Sequence, residues 1–173
     1  MTGGELVVKG DAGLLAACEM AGGRFTVEGK VDDFAASTLP GSMDGMRGGS
    51  LIVKGNAGAR FGDRMRRGTA LVFGNAGDFL ASRMVAGTIA VGGQVGAHVG
   101  YGMRRGSVVL VTEPVSVAAT FVPALADAAV FWQLLARDLA AHGGPFSGLA
   151  SKRIERHLGD LSAAGKGELI FAR

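Results

Sequence analysis

One stretch of the chain, residues 58–77, reads GARFGDRMRRGTALVFGNAG, and its pattern runs through most of the sequence. The stretch contains a methionine, a glycine three residues later, a short apolar run and then Gly-Asn-Ala-Gly. The glycine recurs at intervals of 19 residues, with one interval of 26. These marker glycines are Gly4, Gly23, Gly49, Gly68, Gly87 and Gly106. A fixed period of this length indicates a repeat architecture in which each repeat forms one structural unit.

A short strand pattern follows each marker glycine. Apolar residues stand two and four positions after the marker, as Leu51 and Val53 do, and the residue between them is mostly apolar as well. Apolar side chains on both faces are typical of a parallel strand packed on two sides. A glycine six positions after most markers ends the strand where the chain must turn. We therefore predict a mainly-β protein, a single-stranded right-handed parallel β-helix (solenoid) of 19-residue coils with a C-terminal helical segment.

Methionine occupies one position of the repeat, sixteen residues after the marker once a seven-residue insertion in the second repeat is counted. The methionines at this position are Met20, Met46, Met65, Met84 and Met103. One thioether per coil predicts a ladder of stacked core side chains rather than a metal site.

The insertion lies between Lys30 and Met46, and its centre, residues 38–42, predicts a loop that projects from one coil. The repeat stops after Val111. We expect two parts, a solenoid over residues 1–114 and a helical C-terminal extension over residues 115–173 that packs on it. The first coil begins within three residues of Met1, so its open strand edge predicts either a covering partner or further coils in related chains.

Within the extension, apolar residues at helical spacing predict a helix that begins near Pro123 and ends before residue 143, placed to close the open end of the solenoid. These apolar residues are Val122, Leu125, Ala129, Trp132, Leu135 and Leu139. A second short helix is expected over residues 151–157. Residues 167–171, GELIF, repeat the pattern of the first strand and predict a last strand.

Composition restricts the class of protein. Hydrophobic residues make up 48% of the chain and charged residues 19%, which excludes a disordered protein. Cys18 is the single cysteine, and the N-terminus lacks a signal-peptide pattern, so we expect a cytoplasmic location. The longest apolar stretch is interrupted by proline and polar residues, and no membrane anchor is expected.

No residue pattern indicates catalysis. The glycine-rich turns recur every 19 residues, whereas a phosphate-binding loop occurs once between a strand and a helix. The three histidines, His98, His142 and His157, have no metal-ligand spacing with each other or with Cys18. No nucleophile-elbow pattern is present. We therefore expect no catalytic and no metal-binding residue in this chain.

The distribution of charged residues is the feature of the sequence that indicates a function. Residues 47–105 contain nine basic and two acidic side chains, a net charge of +7 in a chain of net charge +3. Because several arginines share coil positions, we expect stacking to gather them into a basic ridge that binds an acidic partner protein or a polyanionic ligand. The candidate binding residues are Arg47, Arg60, Arg64, Arg66, Arg67, Arg104 and Arg105. The alternative is a solvated face that serves solubility. Nucleic acid is disfavoured because aromatic residues make up only 6% of the chain.

The pattern Gly-x-x-Gly-x-x-Met-x-x-Gly-x-Ile/Leu-x-Val-x-Gly-Asn-Ala-Gly, which residues 58–77 carry nearly intact, resembles that of the glycine-rich C subunit of formylmethanofuran dehydrogenase. This family is similar to the GXGXG solenoid domain of the glutamate synthase large subunit. Segments 159–161 and 165–169 resemble the C subunit of formylmethanofuran dehydrogenase more closely than the glutamate synthase domain. The resemblance covers nearly the whole chain, although family members generally carry additional coils before its first residue.

The resemblance implies a non-catalytic scaffold subunit of a formylmethanofuran dehydrogenase or of a bacterial formyltransferase/hydrolase complex in one-carbon metabolism. It implies amidohydrolase-like and formyltransferase partner subunits, a methanofuran-type carrier with a glutamate-rich chain bound by the complex, and no cofactor in this chain. Two alternatives remain open at this point. One is a glutamate synthase-type structural module, and the other is an independent enzyme with its active site on the solenoid.

Overall fold

The solenoid is built from six strands, one at each marker glycine. The computed structural model describes residues 1–114, 116–124 and 128–173. The six strands are β1 (Thr2–Val8), β2 (Gly22–Val27), β3 (Ser50–Val53), β4 (Thr69–Val72), β5 (Thr88–Val91) and β6 (Ser107–Leu110). Each strand pairs in parallel with the next in chain order. The predicted mainly-β solenoid is confirmed.

Equivalent positions of successive coils pair with each other. Leu51 of β3 pairs with Ala70 of β4, and Ala70 pairs with Ile89 of β5. A second row of parallel bridges joins successive coils at another corner. The residues in this row are Ala12, Val31, Ala57, Ala76 and Val95. Two rows of pairing in register turn each coil position into a column that runs along the solenoid.

The five methionines form the predicted ladder, and all of them are buried. The first four fit against the marker glycine of the next coil, and Met103 fits against Gly167 of the C-terminal segment. At Gly68, for example, an added Cβ would lie 2.6 Å from the carbonyl oxygen of Gly49 and 3.0 Å from Cε of Met46. Gly68 also has φ of +96°, which disfavours any other residue. The thioether of one coil fills the space beside the marker glycine of the next coil. Methionine and marker glycine therefore recur together, three residues apart, in each repeat.

The insertion occupies residues 38–44. The backbone N–H of Glu19 donates to the carbonyl oxygen of Ser37, and the N–H of Gly45 donates to that of Arg64. Both are contacts between neighbouring coils, so the solenoid path is continuous on either side of the inserted residues. The prediction of a projecting loop is confirmed.

The C-terminal segment contains more strand than the sequence predicts. Its elements are β7 (Val122–Pro123), α1 (Ala129–Ala140), β8 (Ile154–Gly159), β9 (Gly167–Ala172) and three single-turn 3-10 helices (Gly144–Phe146, Leu149–Ser151 and Leu161–Ala163). The predicted last strand is confirmed as β9, which pairs in parallel with β6. Strands β8 and β7 then continue the sheet in antiparallel fashion.

Two predictions about helices are wrong. Residues 154–157 belong to β8, because the segment completes a sheet edge instead of forming the expected second helix. Pro123 lies in β7, and the described helix α1 begins only at Ala129. Val115, at the predicted boundary between the two parts, and residues 125–127, including Leu125, lie outside the described residues.

Helix α1 does not close the end of the solenoid. It packs instead on the outer face of the sheet, where its Trp132 and Leu139 join Leu71 and Val109 in a buried cluster. The Trp132 ring N–H donates to the backbone carbonyl of Lys152 at 3.2 Å. Because α1 covers the outer face of the sheet, the middle residue of these strands is apolar. The end of the solenoid at β6 is covered by strand β9, which pairs with it.

A buried carboxylate fastens the C-terminal segment to the last coil. Asp160 accepts hydrogen bonds from the N–H of Gly102 at 3.0 Å and from the N–H and hydroxyl of Ser162 at 2.9 and 2.7 Å. Burial alone would raise the pKa of Asp160, but the hydrogen bonds that its charged form accepts, including one from Thr120, outweigh burial, and the pKa is lowered.

None of the described helices has the length and apolar composition needed to cross a membrane.

We expect Met65→Ala to lower the free energy of unfolding by about 2–5 kcal/mol, because it leaves a cavity in the methionine ladder. Urea unfolding followed by circular dichroism measures the change. The matched control is Met43→Ala in the insertion loop, where the methionine is 67% exposed, and here a change below about 0.5 kcal/mol is expected. Equal losses in the two variants would contradict a structural role for the ladder.

We expect Asp160→Asn to lower the free energy of unfolding at pH 7 by about 1–3 kcal/mol. Because folding lowers the pKa of Asp160, the carboxylate stabilises the protein above the pKa of an unfolded aspartate, about 3.9. This stabilisation is lost as the pH falls through the folded pKa. Urea unfolding between pH 7 and pH 2 should therefore show a weaker acid dependence in the variant. The exposed Asp32→Asn serves as control, and a variant with the pH dependence of the unaltered chain would refute this role.

Candidate functional site

The methionine ladder fixes the positions of the candidate arginines. The backbone N–H groups of Arg66 and Arg67 donate to the carbonyl oxygen of Met46, at 2.8 and 3.2 Å. The N–H of Arg104 donates in the same way to Met84 at 2.8 Å. Each of these arginines thus follows a buried methionine at one corner of its coil. Its backbone is held by the coil before it, and its side chain points away from the core into solvent.

Five of the seven predicted binding residues line one groove at this corner, with a volume of about 600 Å³. We call it the arginine groove, and its lining consists of Asp44, Arg47, Arg66, Arg67, Val85, Ala86, Arg104 and Arg105. The stacking of coils therefore brings together arginines up to 58 residues apart in the sequence.

The arginines surround a concave surface, at the place where the sequence predicts a basic ridge. The coil between Arg66 and Arg104 carries Val85 at the same position, and the following position carries Ala86. These small side chains form part of the groove lining between two pairs of arginines. Because neighbouring coils are about 4.8 Å apart, the backbones of the two pairs are separated by about 10 Å.

The groove has a large excess of positive charge. Asp44 is the one carboxylate among the described lining residues, and it forms an ion pair with Arg66. Among residues 1–114, 116–124 and 128–173, no acidic side chain forms an ion pair with the other four arginines. Five guanidinium groups against one carboxylate repel one another, and an anion bound in the groove would relieve this repulsion.

Arg64 lines a second concave surface next to the groove, with a volume of about 500 Å³, which we call the side recess. Arg66 and Arg104 line both surfaces, so the two are continuous. The recess also contains Arg83, a residue that the sequence analysis missed.

Arg83 is held by a buried carboxylate. Its guanidinium donates from Nη2 to both oxygens of Asp63, at 3.0 and 3.1 Å, and Asp63 is only 3% exposed. Arg64 lies 3.9 Å from the same carboxylate. Asp63 and Arg83 are 20 residues apart, one coil plus one position, and this spacing is the sequence signal that could have identified the pair.

Arg60 does not belong to the groove. Its guanidinium carbon lies 4.6 Å from the centre of the Phe79 ring and 5.9 Å from that of Phe34, residues one coil to either side. The His98 ring in turn stacks on Phe79, with ring centres 4.7 Å apart. Arg60 is thus part of a separate stacked column at another corner, where cation–π attraction to the aromatic rings stabilises its guanidinium group.

The arrangement is suited to binding an anion. The lining of the arginine groove contains no serine, cysteine or histidine among the described residues. Cys18 lies elsewhere, and burial raises the pKa of its thiol, which donates to the carbonyl of Ser37 at 2.9 Å. Among the residues that the structure describes, no three His, Cys, Asp or Glu side chains gather in a group that could hold a metal ion.

Comparison with solved structures finds similar chains, and one of them identifies a complex. The chain is 42% identical over its whole length to a chain in the crystal structure of the formyltransferase/hydrolase complex FhcABCD from Methylorubrum extorquens in complex with methylofuran, with a TM-score of 0.92. It spans 64% of the length of that chain. No protein-family profile matches the sequence, and no curated protein does.

We expect the charge of the arginine groove to control the binding of small polyanions. With tripolyphosphate as the probe, calorimetric titration at low salt should give about threefold tighter binding to Asp44→Asn, because the groove loses its competing carboxylate. Arg66→Ala combined with Arg104→Ala should weaken binding by about tenfold. Asp32→Asn removes an exposed, ion-paired aspartate outside the groove and should change nothing. Identical affinities in all four chains would exclude the groove as an anion site.

Proposed function

We propose that this chain is the solenoid subunit of a formyltransferase/hydrolase complex, as the sequence resemblance predicts and as its 42% identity to the matched chain supports. In this role it is a scaffold without catalytic residues, and it acts in one-carbon metabolism. The single observation that carries the proposal is the 42% identity over the entire chain. A rigid solenoid suits this role, because it presents columns of side chains at fixed spacing to partner proteins.

The partners in this proposal are amidohydrolase-like and formyltransferase subunits, which perform the chemistry. The groove supports a binding role for this chain, since its described lining offers five guanidinium groups and one carboxylate, Asp44, which is already ion-paired with Arg66. The proposed location is the cytoplasm.

The arginine groove is the proposed contact for the carrier or for an acidic partner surface. The matched complex was crystallised with methylofuran. The family resemblance implies a carrier with a glutamate-rich chain. Carboxylates form charge-assisted hydrogen bonds with guanidinium groups, and several such pairs along the groove would guide the chain without fixing it in one register. The carrier is bound by the complex as a whole, and this chain holds no cofactor of its own.

The alternative of a glutamate synthase-type structural module has less support, because the matched chain comes from the formyltransferase/hydrolase complex.

We expect the tagged full-length chain, purified from its native host, to bring down formyltransferase and amidohydrolase-like subunits that mass spectrometry identifies. In a fourfold variant, Arg66, Arg67, Arg104 and Arg105 are all replaced by Ala. This variant should co-purify with the same subunits or lose an acidic one. The complex purified with it should bind the glutamate-rich carrier several-fold more weakly at low salt. Replacing Arg137 and Arg153, which lie outside the groove, is the control. Recovery of glutamate synthase or of no partner would overturn the scaffold role, whereas unchanged subunits and carrier affinity in the fourfold variant would overturn only the role of the groove.

A further inference from the structure

A third concave surface, of about 440 Å³, lies beneath the insertion loop, and we call it the insertion-loop pocket. Its apolar walls are Leu14 and Phe34 from the first two coils and Leu39 and Pro40 from the inserted residues. No polyanion would use these apolar walls, so the anion chemistry of the groove does not account for this pocket.

The pocket is preformed, because the loop that makes its wall is tied to the solenoid. The N–H of Leu39 donates to the Glu19 carboxylate at 3.4 Å, and the N–H of Ser42 donates to the carbonyl of Leu39 at 3.0 Å. Asp44, at the end of the insertion, forms its ion pair with Arg66. A preformed site does not lose loop entropy when a ligand binds.

The apolar side chains of this surface are unusually accessible. Leu14 is 66% exposed, Leu39 is 45% exposed and Phe34 is 38% exposed. Clusters of exposed large apolar side chains around a concavity are typical of binding sites, because their exposure to water is unfavourable. A large apolar group inserted here would remove both itself and these side chains from water.

The pocket is continuous with the cationic side recess. Arg64 and Arg83 line both surfaces, and the recess adds Arg66 and Arg104. Asp63, which also lines the pocket, is already paired with Arg83, and none of the described residues that line the recess is acidic. The surface therefore changes from apolar to cationic in one direction along the solenoid axis.

The length of this surface matches an extended peptide. Leu14, Phe34, Arg64, Arg83 and Arg104 stand on five successive coils, which at about 4.8 Å per coil span about 19 Å. An extended chain advances about 3.3 Å per residue, so about six residues would cover this distance. A small apolar molecule would fill only the pocket and would not reach Arg104, which forms no ion pair with the described residues.

We propose that the insertion-loop pocket anchors one large apolar side chain of an extended segment of a partner protein, and that the acidic residues next to this anchor lie along Arg64, Arg66, Arg83 and Arg104. The anchor supplies apolar burial, and the carboxylates supply direction and register. This peptide-binding role rests on the proposed function in one respect, namely that the chain has partner subunits.

Synthetic peptides test this with the full-length chain. The probes are acetyl-Phe-Glu₅-amide and acetyl-Ala-Glu₅-amide, titrated by calorimetry at low salt. Burial of the phenylalanine ring should make the first peptide bind about tenfold more tightly. The difference should vanish in Leu14→Ala combined with Leu39→Ala, which alters two exposed side chains, and should persist in the control Leu134→Ala, an equally exposed leucine of α1. Arg64→Ala combined with Arg104→Ala should weaken both peptides.

Three outcomes would overturn the proposal. Equal binding of the two peptides to the unaltered chain would show that the pocket recognises no apolar anchor, even if the arginine groove binds both. Binding of acetyl-Phe-amide alone as tightly as the longer peptide would assign the pocket to a small molecule. Self-association in sedimentation experiments that Leu39→Asp abolishes would assign it to a second copy of this chain. Failure of partner co-purification with a positive peptide result would instead count against the proposed complex alone.

Discussion

In-register parallel pairing of successive coils is the interaction on which the rest of the structure depends. Each coil is too short to bury its own apolar face, so its stability comes from the coils on either side. The pairing requires close approach of the backbones, and Gly68 shows the requirement directly, since a side chain there would collide with the carbonyl of Gly49. Met46 fills the space beside that glycine from within. Methionine and glycine therefore pack as a pair between successive coils, and for this reason both recur with the 19-residue period.

The same pairing turns sequence positions into columns of side chains, and the columns determine what the surface can bind. Arg66 and Arg104 reach the same corner because each follows a methionine of the ladder. Val85 occupies the coil between them, and its small side chain leaves a groove where a third arginine would have filled the space. The inserted residues 38–44 add a wall on one side and bring Asp44 to Arg66. One interruption of a regular repeat thus creates both the apolar pocket and the one ion pair of the arginine groove that the described residues contain.

The C-terminal segment solves two problems that parallel coils leave open. The outer face of the sheet carries apolar residues such as Leu71 and Val109, and α1 covers them with Trp132. The edge of β6 carries backbone groups that need partners, and β9 pairs with it. Asp160 connects this segment to the last coil through hydrogen bonds that stabilise its charged form. The segment is part of the sheet, and this accounts for the failure of the helical prediction over residues 154–157.

The sequence by itself determined the solenoid, because a period of 19 residues with a short apolar strand and fixed glycine and methionine positions requires successive coils to stack in register. It also determined that Arg66, Arg67, Arg104 and Arg105 would meet, since residues at equal coil positions must lie in columns. The likeness of residues 167–171 to the first strand predicted β9 as a strand, but tertiary structure alone decided that β9 pairs with β6 and that α1 covers the face. The C-terminal segment lies outside the 19-residue period, so its spacing fixes no partner. Tertiary structure also decided that Arg60 stacks on Phe79 while Arg83 joins Asp63. Spacings of 19 and 20 residues place these partners on neighbouring coils, but whether the side chains touch depends on their direction at the corner, which periodicity does not record.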